Sequence, residues 1–142
     1  MLLLDTDLIS LVQDKSGRAS EKLNKRLEEA AESHVIAVSI VSLEEQMRGW
    51  LAYLAAARTI DRQIVGYRRL HEALDAYSSR ILVDFDERAA AQYQQLVRGR
   101  IRIGTMDLRI AAIALANGAT LLSKNLVHFR KVPGLRVEDW SV

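Results

Sequence analysis

The sequence predicts an α/β sandwich built on one mostly parallel sheet, and three observations carry that prediction. Short apolar runs of strand length recur along the chain: LLLD from Leu2, VIAVS from Val35, ATLLS from Ala119 and LRVEDW from Leu135, with RILVDF from Arg80 as a fifth candidate. Between these runs the apolar spacing changes to a helical period, which supplies the crossovers that parallel neighbours require. The third observation is size. At 142 residues, 49% of them hydrophobic, the chain has the length and apolar content of one domain with a real core. The expectation is a single domain over residues 1–142 with a helical arm at about 50–79.

The first run stops on Asp5. Asp7 directly precedes the apolar LISLV and is the expected cap of a short helix starting at Leu8, which leaves Asp5 needing another explanation. Ser20 to Ser33 is Pro-free and rich in helix formers, so it reads as a helix. After VIAVS, Ser42 and Glu45 have the spacing of a capping box. Leu43, Met47, Trp50 and Leu54 then fall on one helical stripe, expected to face the core. Glu44 and Arg48 stand four apart in the favourable order for a surface ion pair. Ala55 to Tyr77 forms a second long Pro-free helical stretch, fit for an arm or a partner surface. Asp86 can cap a helix running to about Arg98. The last long helix begins near Thr105 and stops at Asn117-Gly118, where glycine supplies the left-handed residue common at helix ends.

Composition bounds the chemistry. Twenty Lys and Arg against 18 Asp and Glu leave a formal charge of +2, too mild to argue nucleic-acid binding but compatible with local basic patches. Cysteine is absent, which excludes disulfides and thiolate metal sites. The N-terminal run lacks a basic flank and is interrupted by Asp5, and nowhere do eighteen apolar residues run together. Neither a signal peptide nor a membrane span is expected, and the chain reads as a soluble cytoplasmic protein.

Three acids then stand out. Asp5 lies where the first strand ends, and ligands of parallel sheets bind beyond the carboxyl ends of the strands. Glu45 shares its helical row with Gly49, Ala52 and Ala56, residues small enough for another backbone to approach. Asp107 shares a face with Ile110, Ala111 and Ala114, and an ionised carboxylate on an apolar stripe must be paired, hydrogen-bonded or metal-bound. The helix dipole there contributes only ~0.3–1 kcal/mol. Carboxylates from three separate segments suit a hard divalent cation such as Mg²⁺ or Mn²⁺. His34, His71 and His128 show no ligand spacing and read as ordinary surface or partly packed residues.

These residues resemble the PIN-domain family, especially its VapC-type toxin ribonucleases. LLLDTD, SIVSLEEQMRG, FDERAAAQYQQL, IGTMDLRIAAIALANGATLLSKN and HFRKVPGLRVEDW occur in the family's order, leaving only about Trp50 to Ser79 unconstrained. The resemblance implies a PIN-like three-layer α/β/α sandwich and Mg²⁺- or Mn²⁺-dependent endoribonuclease activity. It implies Asp5, Glu45 and Asp107 as catalytic acids and metal ligands, with Asn125 orienting water or an acid through its amide. Ser123 and Thr6 match the family's supporting polar positions. Two departures stand out: Asp7 where many members have asparagine, and Asn125 where many have a fourth acid. The second removes one negative charge, which favours one metal over two. A homodimer and a VapB-like antitoxin that covers the acidic site are also implied.

For the RNA polyanion, Arg98, Arg100 and Arg102 precede the Asp107 helix, and Lys124, Arg130 and Lys131 follow the later strand. No aromatic ladder for base stacking is evident. Two alternatives stay open. Haloacid-dehalogenase-like phosphatases also end their first strand on DxD, although Ile9 and the later SKN depart from their pattern. A catalytically weakened PIN-like RNA- or protein-binding module would keep the fold without the chemistry.

Overall fold

The computed structural model describes residues 1–142. Five strands, β1 (Leu2–Leu4), β2 (Ile36–Ser39), β3 (Ile81–Val83), β4 (Thr120–Leu122) and β5 (Arg136–Glu138), form one sheet in the order β3-β2-β1-β4-β5. Every neighbouring pair is parallel. The helices are α1 (Thr6–Gln13), α2 (Arg18–Ala30), α3 (Ile40–Ala56), α4 (Ile60–Ser78), α5 (Glu87–Arg98), α6 (Thr105–Ala116) and α7 (Leu126–Phe129).

The pleat sorts the core into two. In β1, Leu3 points to one face and Leu2 and Leu4 to the other, as alternation in a strand requires. Leu3 packs with Leu96 of α5, Ile110 and Ile113 of α6 and Phe129 of α7. Leu2 and Leu4 pack with Leu8 and Ile9 of α1, Leu23 and Leu27 of α2, and Tyr77 of α4. Helices therefore cover both faces, and the three-layer α/β/α sandwich follows. Each Leu or Ile buried in these clusters contributes roughly 1.5–3 kcal/mol relative to exposure, enough in sum to hold the fold without staples.

Strand order also places the functional crevice. The chain runs outward from β1 to β2 and β3, then returns to build β4 and β5 on the other side, so the topology switches between β1 and β4. Asp5 directly follows β1 and Ser123 directly follows β4, both at that switch.

Several local expectations are corrected. Asp5, not Asp7, caps α1: its side chain accepts from the Thr6 N–H, and its carbonyl accepts from Leu8 and Ile9. The helix thus starts two residues before Leu8 and takes Asp7 into its first turn. The cap of α3 is Ser39, whose Oγ accepts from Ser42 N–H at 3.0 Å, so Ser42 and Glu45 form no capping box. The helix that was to run unbroken from Ala55 is interrupted at Ala57 to Thr59, and Thr59 caps α4 through its side chain. The stripe of α3 reaches the core only at Leu43, with Met47 37% exposed. Nor does a backbone approach the Glu45 row, because Ala52 and Ala56 are exposed and nothing lies within 4 Å of a Cβ built on Gly49. The close approach is at Gly66 of α4, against Leu54 and Tyr53.

Other elements form as expected. Asp86 accepts from Ala89 N–H at 3.0 Å, Gly118 has φ of +59° after α6, and Glu44 pairs with Arg48. The residues expected to form an arm make a helical hairpin, α3–α4. Tyr77 anchors it in the core, and Ile60, Ile64, Tyr67 and Leu74 are exposed along it. No helix is long and apolar enough to cross a membrane.

Candidate metal centre

Asp5 is 5% exposed. Its Oδ1 accepts from Thr6 N–H at 2.8 Å and its Oδ2 from Ser123 Oγ at 2.8 Å. Both bonds favour the carboxylate, yet burial and the neighbouring Asp7 and Asp107 push its pKa up to about 7. Burial dominates. Glu45, freed from the expected cap, accepts from Thr6 Oγ1 at 3.2 Å. Its pKa is raised by burial first, and then by Asp107, Glu44 and Asp7.

Asp107 comes from the first turn of α6. Its Oδ2 accepts from Asn125 Nδ2 at 3.4 Å and lies 3.9 Å from His128 Nδ1. Burial raises its pKa, opposed by His128 and Asn125. Ser123 ties the set together, since its Oγ donates to Asp5 and accepts from the Asn125 N–H at 2.9 Å. One hydroxyl thus holds the ends of β1 and β4 in register.

Two participants were given no site role from the sequence. Asp7 faces the same crevice: its Oδ2 accepts from Lys124 N–H at 3.0 Å, and its Oδ1 is buried with no hydrogen-bond partner. Its pKa is raised, chiefly by burial. His128, read as an ordinary residue, lies 2.9 Å from Asn125 Nδ2 through its Nδ1. The only signal for it was its place one helical turn after Asn125, too common a spacing to select it.

The four carboxylates make a coherent electrostatic object. None is ion-paired to a lysine or arginine. Burial raises the pKa of each, and at Asp5 and Glu45 the other acids raise it further. No three of the chain's acids and histidines stand close enough together to hold a metal ion between them. The donor set instead suits a hard cation that keeps part of its water shell, as Mg²⁺ does, and the orphaned Asp7 Oδ1 is an oxygen in want of a positive partner.

The basic candidates divide. Lys124 stands beside Asp7, at the crevice. Arg98, Arg100 and Arg102 are exposed around the α5–α6 connection, with Arg100 at φ of +56°, and Arg130 and Lys131 are exposed just after α7. None of these five has an acidic partner.

The PIN domain family model matches residues 2–135. The chain belongs to the PIN-domain family. Among curated relatives of this PIN domain, it is 28% identical to "Ribonuclease VapC2" of Rickettsia felis, over 98% of this chain and 97% of the relative. It is 26% identical to "tRNA(fMet)-specific endonuclease VapC" of Salmonella typhimurium, over 97% and 96%. Among solved structures, the DNA-bound VapBC of Salmonella typhimurium superposes with a TM-score of 0.76 at 25% identity, covering 98% of this chain and 97% of that one. VapBC2 of Rickettsia felis, bound to a promoter DNA fragment, gives 0.74 at 26%, covering 98% of each. Membership decides against the dehalogenase-like phosphatase and agrees with the all-parallel sandwich.

Proposed function

We propose that this PIN-domain protein is a metal-dependent endoribonuclease, the toxin of a VapBC-type pair, acting in the cytoplasm. One observation carries the reading: Asp5, Glu45 and Asp107, far apart in the chain, gather at the β1/β4 switch with no lysine or arginine paired to them. The ribonuclease names of the relatives support the same chemistry. Keeping four carboxylates partly buried without a lysine or arginine ion pair is costly for a pure binding module, so the weakened alternative is disfavoured.

Asp5, Asp107 and Glu45 hold the cation. Mg²⁺ or Mn²⁺, when bound, lowers the pKa of water and neutralises charge developing on the phosphate. The protein's own groups then have distinct tasks. Ser123 and the Thr6 N–H orient the Asp5 carboxylate, and Thr6 Oγ1 orients Glu45. Asn125 presents its amide to Asp107 in place of a fourth acid, which favours one tightly held metal. Lys124 supplies positive charge beside Asp7, and Arg98, Arg100, Arg102, Arg130 and Lys131 extend phosphate contacts outward. The exposed apolar residues of α3 and α4 serve a homodimer and a VapB-like antitoxin, in keeping with solved neighbours that are VapBC complexes.

The test is cleavage of end-labelled single-stranded RNA with Mg²⁺, with Mn²⁺ and with EDTA. Asp107→Asn is expected to keep the fold and lower the metal-dependent rate by about 10²- to 10³-fold, the scale of losing one charge-stabilising group. Equal cleavage in EDTA, or by the variant, refutes the proposal.

A further inference from the structure

A cleft of about 500 Å³ opens beside Glu45, where α1, α3 and α4 meet. Thr6 and Glu45 belong to both the cleft and the acidic crevice, so the two are continuous. Its walls have a chemistry of their own. Trp50 and Tyr53, both half-buried, line it as an edge-to-face pair with centroids 5.6 Å apart. Two side-chain amides line it as well, Gln46 one turn before Trp50 on α3 and Gln13 from α1. Gln46 is buried, accepting from Gln13 Nε2 at 3.4 Å and donating to Ser10 Oγ at 3.1 Å. At Gly49 nothing lies within 4 Å of a built Cβ, so the glycine leaves room in the wall.

Charge decides what the cleft accepts. Asp14, Glu45 and Glu72 line it against a single Arg69, which is itself paired with Glu72 at 3.2 Å. A phosphate is repelled there. A flat, uncharged group with hydrogen-bonding edges and two π-faces is well matched, and an unstacked RNA base is such a group.

We propose that this cleft is a nucleobase subsite: one unstacked base flanking the cleaved phosphodiester lies against Trp50 and Tyr53, and Gln13 and Gln46 read its edge. The proposal rests on the nuclease reading above. It makes Trp50 the affinity-determining residue of the subsite and Gln46 its specificity-determining residue.

The experiment uses single-stranded RNA randomised around the cut region, incubated with Mn²⁺ and the full chain, with cut sites read by sequencing. The wild type is expected to enrich one base at one flanking position. Trp50→Ala should lower kcat/KM at those sites by about 5- to 150-fold, the span found on removing a stacking aromatic. Gln46→Leu should flatten the base preference. Gly49→Leu, which fills open space and so keeps the fold, should do both. A wild type that cuts without flanking preference, or variants that retain the wild-type profile and rate, overturns the subsite while leaving the nuclease intact. The second result holds even if the variants lose grip on a basic protein segment, the rival occupant of an acidic cleft. A wild type that cuts no RNA with either metal removes the nuclease reading, and the subsite with it.

Discussion

Replacing Asp5 by asparagine is expected to stabilise the metal-free protein at alkaline pH while abolishing its chemistry. In the fold Asp5 titrates at about 7 against an ordinary value of 3.8, so the folded chain holds the proton more tightly than the unfolded one. With that sign, Asp5 costs nothing below the unfolded value, and stability drains away as pH rises towards the folded one. At 1.36 kcal/mol per unit, the cost is about 2 kcal/mol at pH 5 and about 4 at pH 8. Asparagine removes it and keeps the local bonds: its Oδ1 still accepts from Thr6 N–H, Ser123 Oγ can accept from its amide, and asparagine caps a helix as well as aspartate. Urea denaturation in EDTA at pH 5 and pH 8 measures the difference. The variant's advantage should widen by about 2–3 kcal/mol between the two. Mn²⁺ should then cancel the variant's advantage at pH 8, since saturation at 1,000 times Kd adds about 4.1 kcal/mol to the wild type alone. A variant less stable than wild type at pH 8, or an advantage that ignores pH, would refute the account of a buried carboxylate waiting for a cation.

Gly66→Ala sets two terms against each other. Alanine favours the helix by roughly 0.5–1 kcal/mol, but its Cβ would stand 2.6 Å from Leu54 Cδ2, 2.9 Å from Leu54 Cγ and 3.0 Å from Tyr53 Cδ1. Overpacking costs about 1–3 kcal/mol, so a net loss of Tm by a few degrees is expected in a thermal melt, and an unchanged or raised Tm refutes the packing argument. Ser123→Ala leaves the Asp5 carboxylate and the Asn125 N–H short of a partner. It should cost about 1–3 kcal/mol in denaturant titrations and weaken Mn²⁺ binding by about 10- to 100-fold; unchanged affinity by calorimetry would remove Ser123 from the support of the site.

The legible part was large, and its limits are local. All five strands, the Asp86 cap and the Gly118 stop could be read from the sequence because each depends on neighbours in the chain: apolar run length, a side chain reaching three residues on, a left-handed φ. Asp5 and Asp107 were legible because an Asp on the apolar face of α6 and another at the end of a buried strand demand an explanation wherever they occur; Glu45 was legible only through the family resemblance, since no backbone meets the small-residue row that also pointed to it. Capping was misread twice for one reason. Asp5 and Ser39 each end a strand and begin a helix with no loop between, so the usual offset of a cap from the first apolar residue gave the wrong position.

What remained was for the tertiary structure to decide. That Asp7 turns into the same crevice, that Ser123 bridges two strand ends, and that Trp50, Tyr53, Gln13 and Gln46 meet around one cleft all depend on distances between segments dozens of residues apart. Sequence period sets which face of a helix a residue occupies, but which other helix that face meets is set by sheet order and crossover. The amino-acid sequence by itself therefore determined the elements and the chemical types at their ends. Packing alone determined which of them became neighbours, because burial, and with it the raised pKa of every site carboxylate, exists only once the layers close.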